Sequence, residues 1–140
     1  MDKKNEVRGI RNNNPLNIVK GNNWQGERNP QKDKVFEEFE SMQYGVRAGF
    51  KILRNYITGY HGLSAKCNTI EKIITRWAPP KENDTPAYIQ AVEKYTGIPR
   101  HLHLSFSQRS YMVALVDAMI RVECGQPIDK KIIESAYDMI

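Results

Sequence analysis

From Ser41 onward the apolar residues fall at helical spacing. Val46, Phe50, Leu53 and Ile57 recur through "QYGVRAGFKILRNYI", and Gly59 and Gly62 end the run, which predicts an amphipathic helix. Thr69 can cap "IEKIITRW", whose Ile70, Ile73, Ile74 and Trp77 make an apolar stripe, and Pro79-Pro80 stops it. "ENDTPAYIQAVEKYTG" supplies Asp84 or Thr85 as cap, Pro86 at the first helical position and Gly97 past the end, with Tyr88, Ile89, Val92 and Tyr95 facing inward. Ser107 precedes "QRSYMVALVDAMIRVECG", the most apolar stretch, where Met112, Leu115, Met119 and Val122 keep helical spacing until Gly125. A closing helix begins after Asp129 with Ile132, Ile133, Ala136 and Ile140 on one stripe.

The first forty residues break this period. Residues 11–40 are rich in Asn, Gly, Lys and Glu, and their short apolar pieces "LNIV" and "VFEEF" predict two strands of a small hairpin. Glu37, Glu38 and Glu40 flank Phe39 there and are expected at the surface. "NNNP", at Asn12 to Pro15, predicts a tight turn, because asparagine tolerates left-handed backbone and proline fixes φ. Residues 1–10 are expected to be loosely held. The fold class that results is α+β and mostly helical: a single domain over 1–140, with a β/loop lobe at 11–40 and a helical body of about five helices at 41–140. A cleft between two such parts is a natural ligand site.

Composition narrows the function. A 140-residue chain can bury roughly two-thirds of its unfolded surface in one core. A hydrophobic fraction of 40% is ordinary for a globular protein. The net charge of +5 and pI near 9.2 favour anionic partners, yet the basic residues are dispersed rather than clustered, so nucleic acid is not the expected partner. The N-terminus lacks the apolar run of a secretory signal and no stretch is long enough to span a bilayer. The expectation is synthesis in a bacterial cytoplasm with no membrane insertion. Two cysteines, Cys67 and Cys124, are too few for a disulfide framework.

No phosphate loop, HExxH, CxxC or GxSxG occurs, and the HxH of His101 and His103, with His61 far away, makes a poor zinc signal. Neither metal nor cofactor is called for. The remaining carboxylates, amides and aromatics suit carbohydrate chemistry, in which rings stack on sugars, amides bond hydroxyls and an acid protonates the leaving oxygen. Glu123, in "RVECGQP", ends the apolar helix beside a glycine, at the negative end of a helix dipole where a carboxyl is disposed to keep its proton. It is the first-choice acid. Glu82, in "WAPPKENDTPAY", is the second. Trp24 and Trp77 each lie beside turn residues and are candidates for sugar stacking, with core anchoring as the alternative.

The strings "RGIRNNNPLNI", "WQG", "YGVRA" and "RWAPPKENDTPAYIQAV" resemble phage and prophage proteins of the lysozyme-like superfamily, which are virion structural proteins or peptidoglycan-degrading enzymes. Leu16 stands where that pattern usually has glycine. A weaker similarity, through "NPLNIVKGNNWQG" and "WAPPKENDTPAY", is to flagellar-type glucosaminidases, although their catalytic "ESG" element is missing ahead of "NPLNI". The resemblance implies a lysozyme-like fold, circularly permuted so that Glu123 of "ECG" takes the place of the acid. It also implies a glycan-binding set of Asn14, Asn17, Trp24, Gln25, Trp77, Asn83 and Tyr88, with "RNNNPLNI" as the cleft floor. The expected function is cleavage of peptidoglycan glycan strands in a phage context, by a lytic transglycosylase or a glycosidase, at the wall or from a virion. With Glu82 or Asp84 across the cleft, hydrolysis through an activated water is the better choice. A non-catalytic virion or glycan-binding protein, a Cys124 peptidase and a nucleic-acid binder are the competing classes.

Overall fold

In a computed structural model describing residues 6–59 and 66–140, the chain forms six helices and an irregular N-terminal lobe. Gly62 and His61 lie outside the described residues. Helix α1 is a single turn, Arg8–Arg11. Ser41 opens α2 (Met42–Thr58) by accepting the Tyr44 N–H, and Gly59, left-handed at φ 74°, closes it. Helix α3 (Ile70–Trp77) is capped by Thr69 and buries Ile70, Ile73 and Ile74. Asp84 caps α4 (Thr85–Thr96), which ends at Gly97, and α5 (Arg109–Cys124) ends at Gly125. Asp129 caps α6 (Lys130–Asp138), which buries Ile133 and Ala136. Helix α2 packs most extensively on α6, and α4 on α5. No helix is long and apolar enough to cross a membrane among the described residues.

One inward placement is corrected. Tyr95 does not face inward: it is 59% exposed, and its ring lies 5.7 Å from the Arg121 guanidinium, where a cation–π contact substitutes for burial. Helix α5 starts after Gln108, and the hydroxyl of the preceding Ser107 is engaged with Ser105. A helical turn, α1, occupies part of the segment expected to be loose. Gly9 explains its position: a Cβ there would lie 3.0 Å from both the Asn14 carbonyl and the Cys124 sulfur, so the α1 backbone rests directly on the end of α5.

The predicted hairpin reduces to two isolated antiparallel bridges, Val19 with Phe36 and Glu27 with Phe39. Residues 35–40 form the hub. Glu37 N–H donates to Ile18 and Val35 accepts from Lys20; Glu40 N–H donates to Gly26 and Glu38 accepts from Arg28; Phe39 N–H donates to Asn12. Interruption by Asn, Gly and Pro keeps these pairings from lengthening into strands.

The hub also overturns the surface placement of its glutamates. Glu40 is exposed, but Glu37 and Glu38 are only 3% and 6% exposed. Period-two alternation puts Glu37 on the face of the fully buried Phe39. Glu38 turns the other way, accepts the Lys32 and Asp33 N–H groups and meets Arg28 at 3.4 Å. Burial pushes its carboxyl up, but those donors outweigh burial and hold it below the ordinary value.

Each asparagine of the turn has a separate task. Asn12 donates at 2.9 Å to Asp33, which Arg8 grips bidentately at 2.6 Å on each oxygen; that grip, above all, holds the Asp33 carboxyl well below the usual carboxylate range. Asn13 is left-handed, φ 52°, and donates to the Phe39 carbonyl. Asn14, wholly buried, accepts from Ile18 N–H and donates to the Ile18 and Glu37 carbonyls, doing the work of a backbone pair where no strand exists. Asn17 is again left-handed, φ 54°.

Gly45 and Gly49 of α2 form the seat of this turn. A Cβ on Gly45 would collide with the Asn13 carbonyl, and one on Gly49 with the Leu16 side chain, which is itself wholly buried. Leu16, where the resemblance has glycine, therefore fills space that Gly49 leaves. Alanine is the better helix former by about 1 kcal/mol, so a surface view predicts that Gly45→Ala stabilises. The seat predicts the opposite: a loss of about 2 kcal/mol in urea unfolding, because the obstructing atom belongs to the backbone. Gly49→Ala should also destabilise, and Leu16→Ala in the same chain should relieve most of its penalty in a double-mutant cycle.

Candidate functional site

Gly125 ends α5 so that Glu123, in the last turn, projects its half-buried carboxyl toward the Asn-rich turn. Asn17 Nδ2 donates to Oε1 at 3.0 Å and the Tyr88 hydroxyl donates to Oε2 at 3.0 Å. The three residues come from separate parts of the chain, 106 residues apart for Asn17 and 35 for Tyr88. Left-handed backbone at Asn17 aims its amide at the carboxyl, and the first turn of α4 carries Tyr88 across to α5. Tyr88 is 7% exposed, and burial, then the Glu123 charge, pushes its phenol far up, so it stays a neutral donor. Each Glu123 oxygen accepts one of these bonds and keeps a second lone pair for a ligand.

Next to it, the Cys124 thiol donates to the Pro15 carbonyl at 3.1 Å. The turn is thus tied to the end of α5 through two successive residues. Gly9 admits both contacts, since a Cβ there would also lie 3.1 Å from the Asn17 amide oxygen.

Protein P5 of Pseudoalteromonas phage PM2 is 48% identical to this chain over 123 residues, covering 85% of the chain and 72% of that protein. The chain belongs to the family of that phage protein. No family model matches it.

In this P5-family chain the other residues singled out from the sequence divide into two groups. Those near the turn are structural: Asn14 is wholly buried with its amide bonded inside the protein, leaving no surface for a glycan. Trp24 is half-buried against the core, and its main-chain N–H donates to Glu27 at 2.9 Å. Gln25 beside it is exposed. Those around "RWAPPKEND" lie at the far end of α3. Trp77 packs edge-on to Tyr56, 6.3 Å between centroids, at the junction of α2 and α3. Asn83 donates to the Pro79 carbonyl, while Glu82 is exposed and without a side-chain hydrogen bond or ion pair among the described residues. Only Asn17 and Tyr88 of the expected set touch Glu123.

Sequence reading missed Gly9, and it missed Glu37, whose signal was the alternation with Phe39. Burial, then the neighbouring Glu27, pushes the Glu37 carboxyl up to about 7.

The cysteine-peptidase alternative does not fit. Burial, then the Glu123 charge, pushes the Cys124 thiol up to about 11, the reverse of an activated nucleophile. His101 and His103 are exposed in the α4–α5 loop, and among the described residues no three metal-ligating side chains cluster. In the folded protein at pH 8, iodoacetamide should modify the partly exposed Cys67 and leave Cys124 intact until denaturant is added. Mass mapping of the alkylated peptides checks this, with Cys124 reactivity rising only as the pH approaches about 11.

Proposed function

We propose that this P5-family protein cleaves the glycan strands of peptidoglycan in a phage context, on a lysozyme-like fold in circularly permuted order, with Glu123 as the acid. One observation carries the reading: a carboxyl at the end of the central apolar helix, the Asn17 amide of "RNNNPLNI" and the Tyr88 hydroxyl of "ENDTPAY" meet at 3.0 Å although they are remote in the chain. The meeting is a specific one, since packing alone does not demand that a half-buried carboxyl, an amide and a phenol converge at a chain end.

In this reading Glu123 gives its proton to the glycosidic oxygen as the bond from the anomeric carbon breaks. It then takes the proton of the muramyl 6-hydroxyl as that oxygen bonds to the same carbon, which closes a 1,6-anhydro ring. No second carboxylate bonds to the Glu123 cluster among the described residues, so the intramolecular route is preferred to hydrolysis. Tyr88 and Asn17 act as positioning residues that orient the carboxyl. The net charge of +5 favours adhesion to an anionic wall.

A non-catalytic virion or glycan-binding role is the second reading. It is favoured by the fact that both carboxyl oxygens already accept hydrogen bonds from the protein, as a purely structural clamp between α5 and the turn would require.

Turnover of purified sacculi separates the two. Glu123→Gln should retain the fold by circular dichroism and lose at least about 1,000-fold in rate, with anhydro-muramyl products from the wild type by mass spectrometry. Glu82→Gln should turn over like the wild type. A folded wild type that binds sacculi and releases nothing would establish the second reading.

A further inference from the structure

Residues 35–39 lie between two partners, with Val19 bridging Phe36 on one side and Glu27 bridging Phe39 on the other. Glu37 stands two residues before Phe39, so its side chain is the diagonal neighbour of Glu27 on the same face. The two carboxyls bond each other. Two carboxylates are acceptors only, so the bond requires a proton on one of them. The surroundings of Glu37 point the same way: it is buried, and its Oε2 has no donor among the described residues. A carboxylic O–H at that oxygen turns an orphaned acceptor into a donor. Glu27 is fixed to receive it, because its Oε1 accepts the Trp24 main-chain N–H at 2.9 Å and the Tyr44 ring of α2 lies against the preceding Gly26.

No cation takes the place of that proton. Lys20 draws the Glu37 carboxyl down, but it is exposed to solvent and makes no ion pair among the described residues. Arg28 is committed to Glu38 and to the Arg11 carbonyl, and Arg8 of α1 to Asp33. Glu37 in turn holds the Asn-rich turn through its backbone. Its N–H donates to the Ile18 carbonyl at 2.9 Å and its carbonyl accepts from Asn14 Nδ2 at 3.0 Å, and those two residues bracket Asn17.

We propose that the Glu27–Glu37 pair is a proton-operated latch: one shared proton clasps residues 26–28 to the 35–39 segment, and its loss opens the clasp and loosens the turn that carries Asn17. The folded chain holds this proton more tightly than the unfolded chain, up to about 7 against an ordinary 4.5. The latch therefore contributes fully below about pH 4.5 and is lost as the pH rises through about 7. Asp33 and Glu38, whose carboxyls are held down, act in the opposite sense and at lower pH. This inference is independent of the catalytic reading, since it is read from the protection of the lobe and not from turnover.

Amide hydrogen exchange of the full chain, corrected for its intrinsic pH dependence and read by mass spectrometry, tests the latch. Between pH 6 and pH 8 the protection of peptides covering 14–20 and 35–40 should fall about tenfold in the wild type and in Glu40→Gln, an exposed control on the same segment. Glu37→Gln, whose amide donates to Glu27 at every pH, should hold its protection level over that range. Should it fail to fold, Glu27→Gln carries the test: removing the neighbouring charge while leaving the burial should shrink the fall. A wild type whose protection stays level overturns the proposal, as does a fall that persists unchanged in either folded variant.

Discussion

The contact between the Asn-rich turn and the Gly45/Gly49 face of α2 is the constraint on which the lobe and the site both rest. The turn must run backbone against backbone with the helix, which only glycine at those two positions allows. Its own carbonyls and N–H groups, so close to a helix that cannot bond them, need other partners. Helix α1, Phe39 and Cys124 supply these, while the Asn13 and Asn14 side chains in turn serve the backbone of Phe39, Ile18 and Glu37. Left-handed backbone at Asn13 and Asn17 then turns the chain tightly enough for the Asn17 amide to point at α5. The asparagine repeat is thus chiefly architectural, with one of its four amides left for chemistry.

From that constraint follows the placement of Glu123. Gly125 releases the chain at the end of α5, and the last turn would otherwise leave a carboxylate near unsatisfied helix carbonyls, an unfavourable pairing of like polarity. Two neutral donors offset it. Cys124 fixes the distance by bonding Pro15, so a shift of the turn would move Asn17 away from the acid and break the thiol contact together. The site therefore inherits its precision from the packing of α1, α2 and α5 rather than from contacts among its own side chains.

The helices were legible because each carries its own punctuation. Thr69, Asp84 and Asp129 cap where the sequence predicts, and Gly59, Gly97 and Gly125 adopt the left-handed conformation that ends a helix. Glu123 was legible for the same reason, as a carboxyl placed by a helix end. The lobe was not, because its order comes from long-range side-chain to backbone bonds that no local period announces. "VFEEF" reads as one strand of a hairpin, yet it serves three partners at once, residues 12, 18–20 and 26–28. Asn14 looked like a ligand-facing amide for the same cause: an asparagine that substitutes for a strand partner has the same letter as one that meets a sugar. Trp77 shows the converse, an aromatic beside turn residues that packs on Tyr56 between two helices.

Buried acids expose the electrostatic logic of the lobe. Asp33 and Glu38 are desolvated but surrounded by donors: Arg8, Asn12 and two backbone N–H groups for the first, two backbone N–H groups and Arg28 for the second. Both carboxyls are accordingly held below their ordinary values. Glu37, as deeply buried and one residue from Glu38, has the opposite displacement, because burial and then Glu27 push its carboxyl up and the Lys20 charge offsets them only in part. The difference lies in the partners: Glu38 meets backbone donors and Arg28, whereas the buried Glu37 carboxyl meets that of Glu27, and in such a pair a proton is retained more readily.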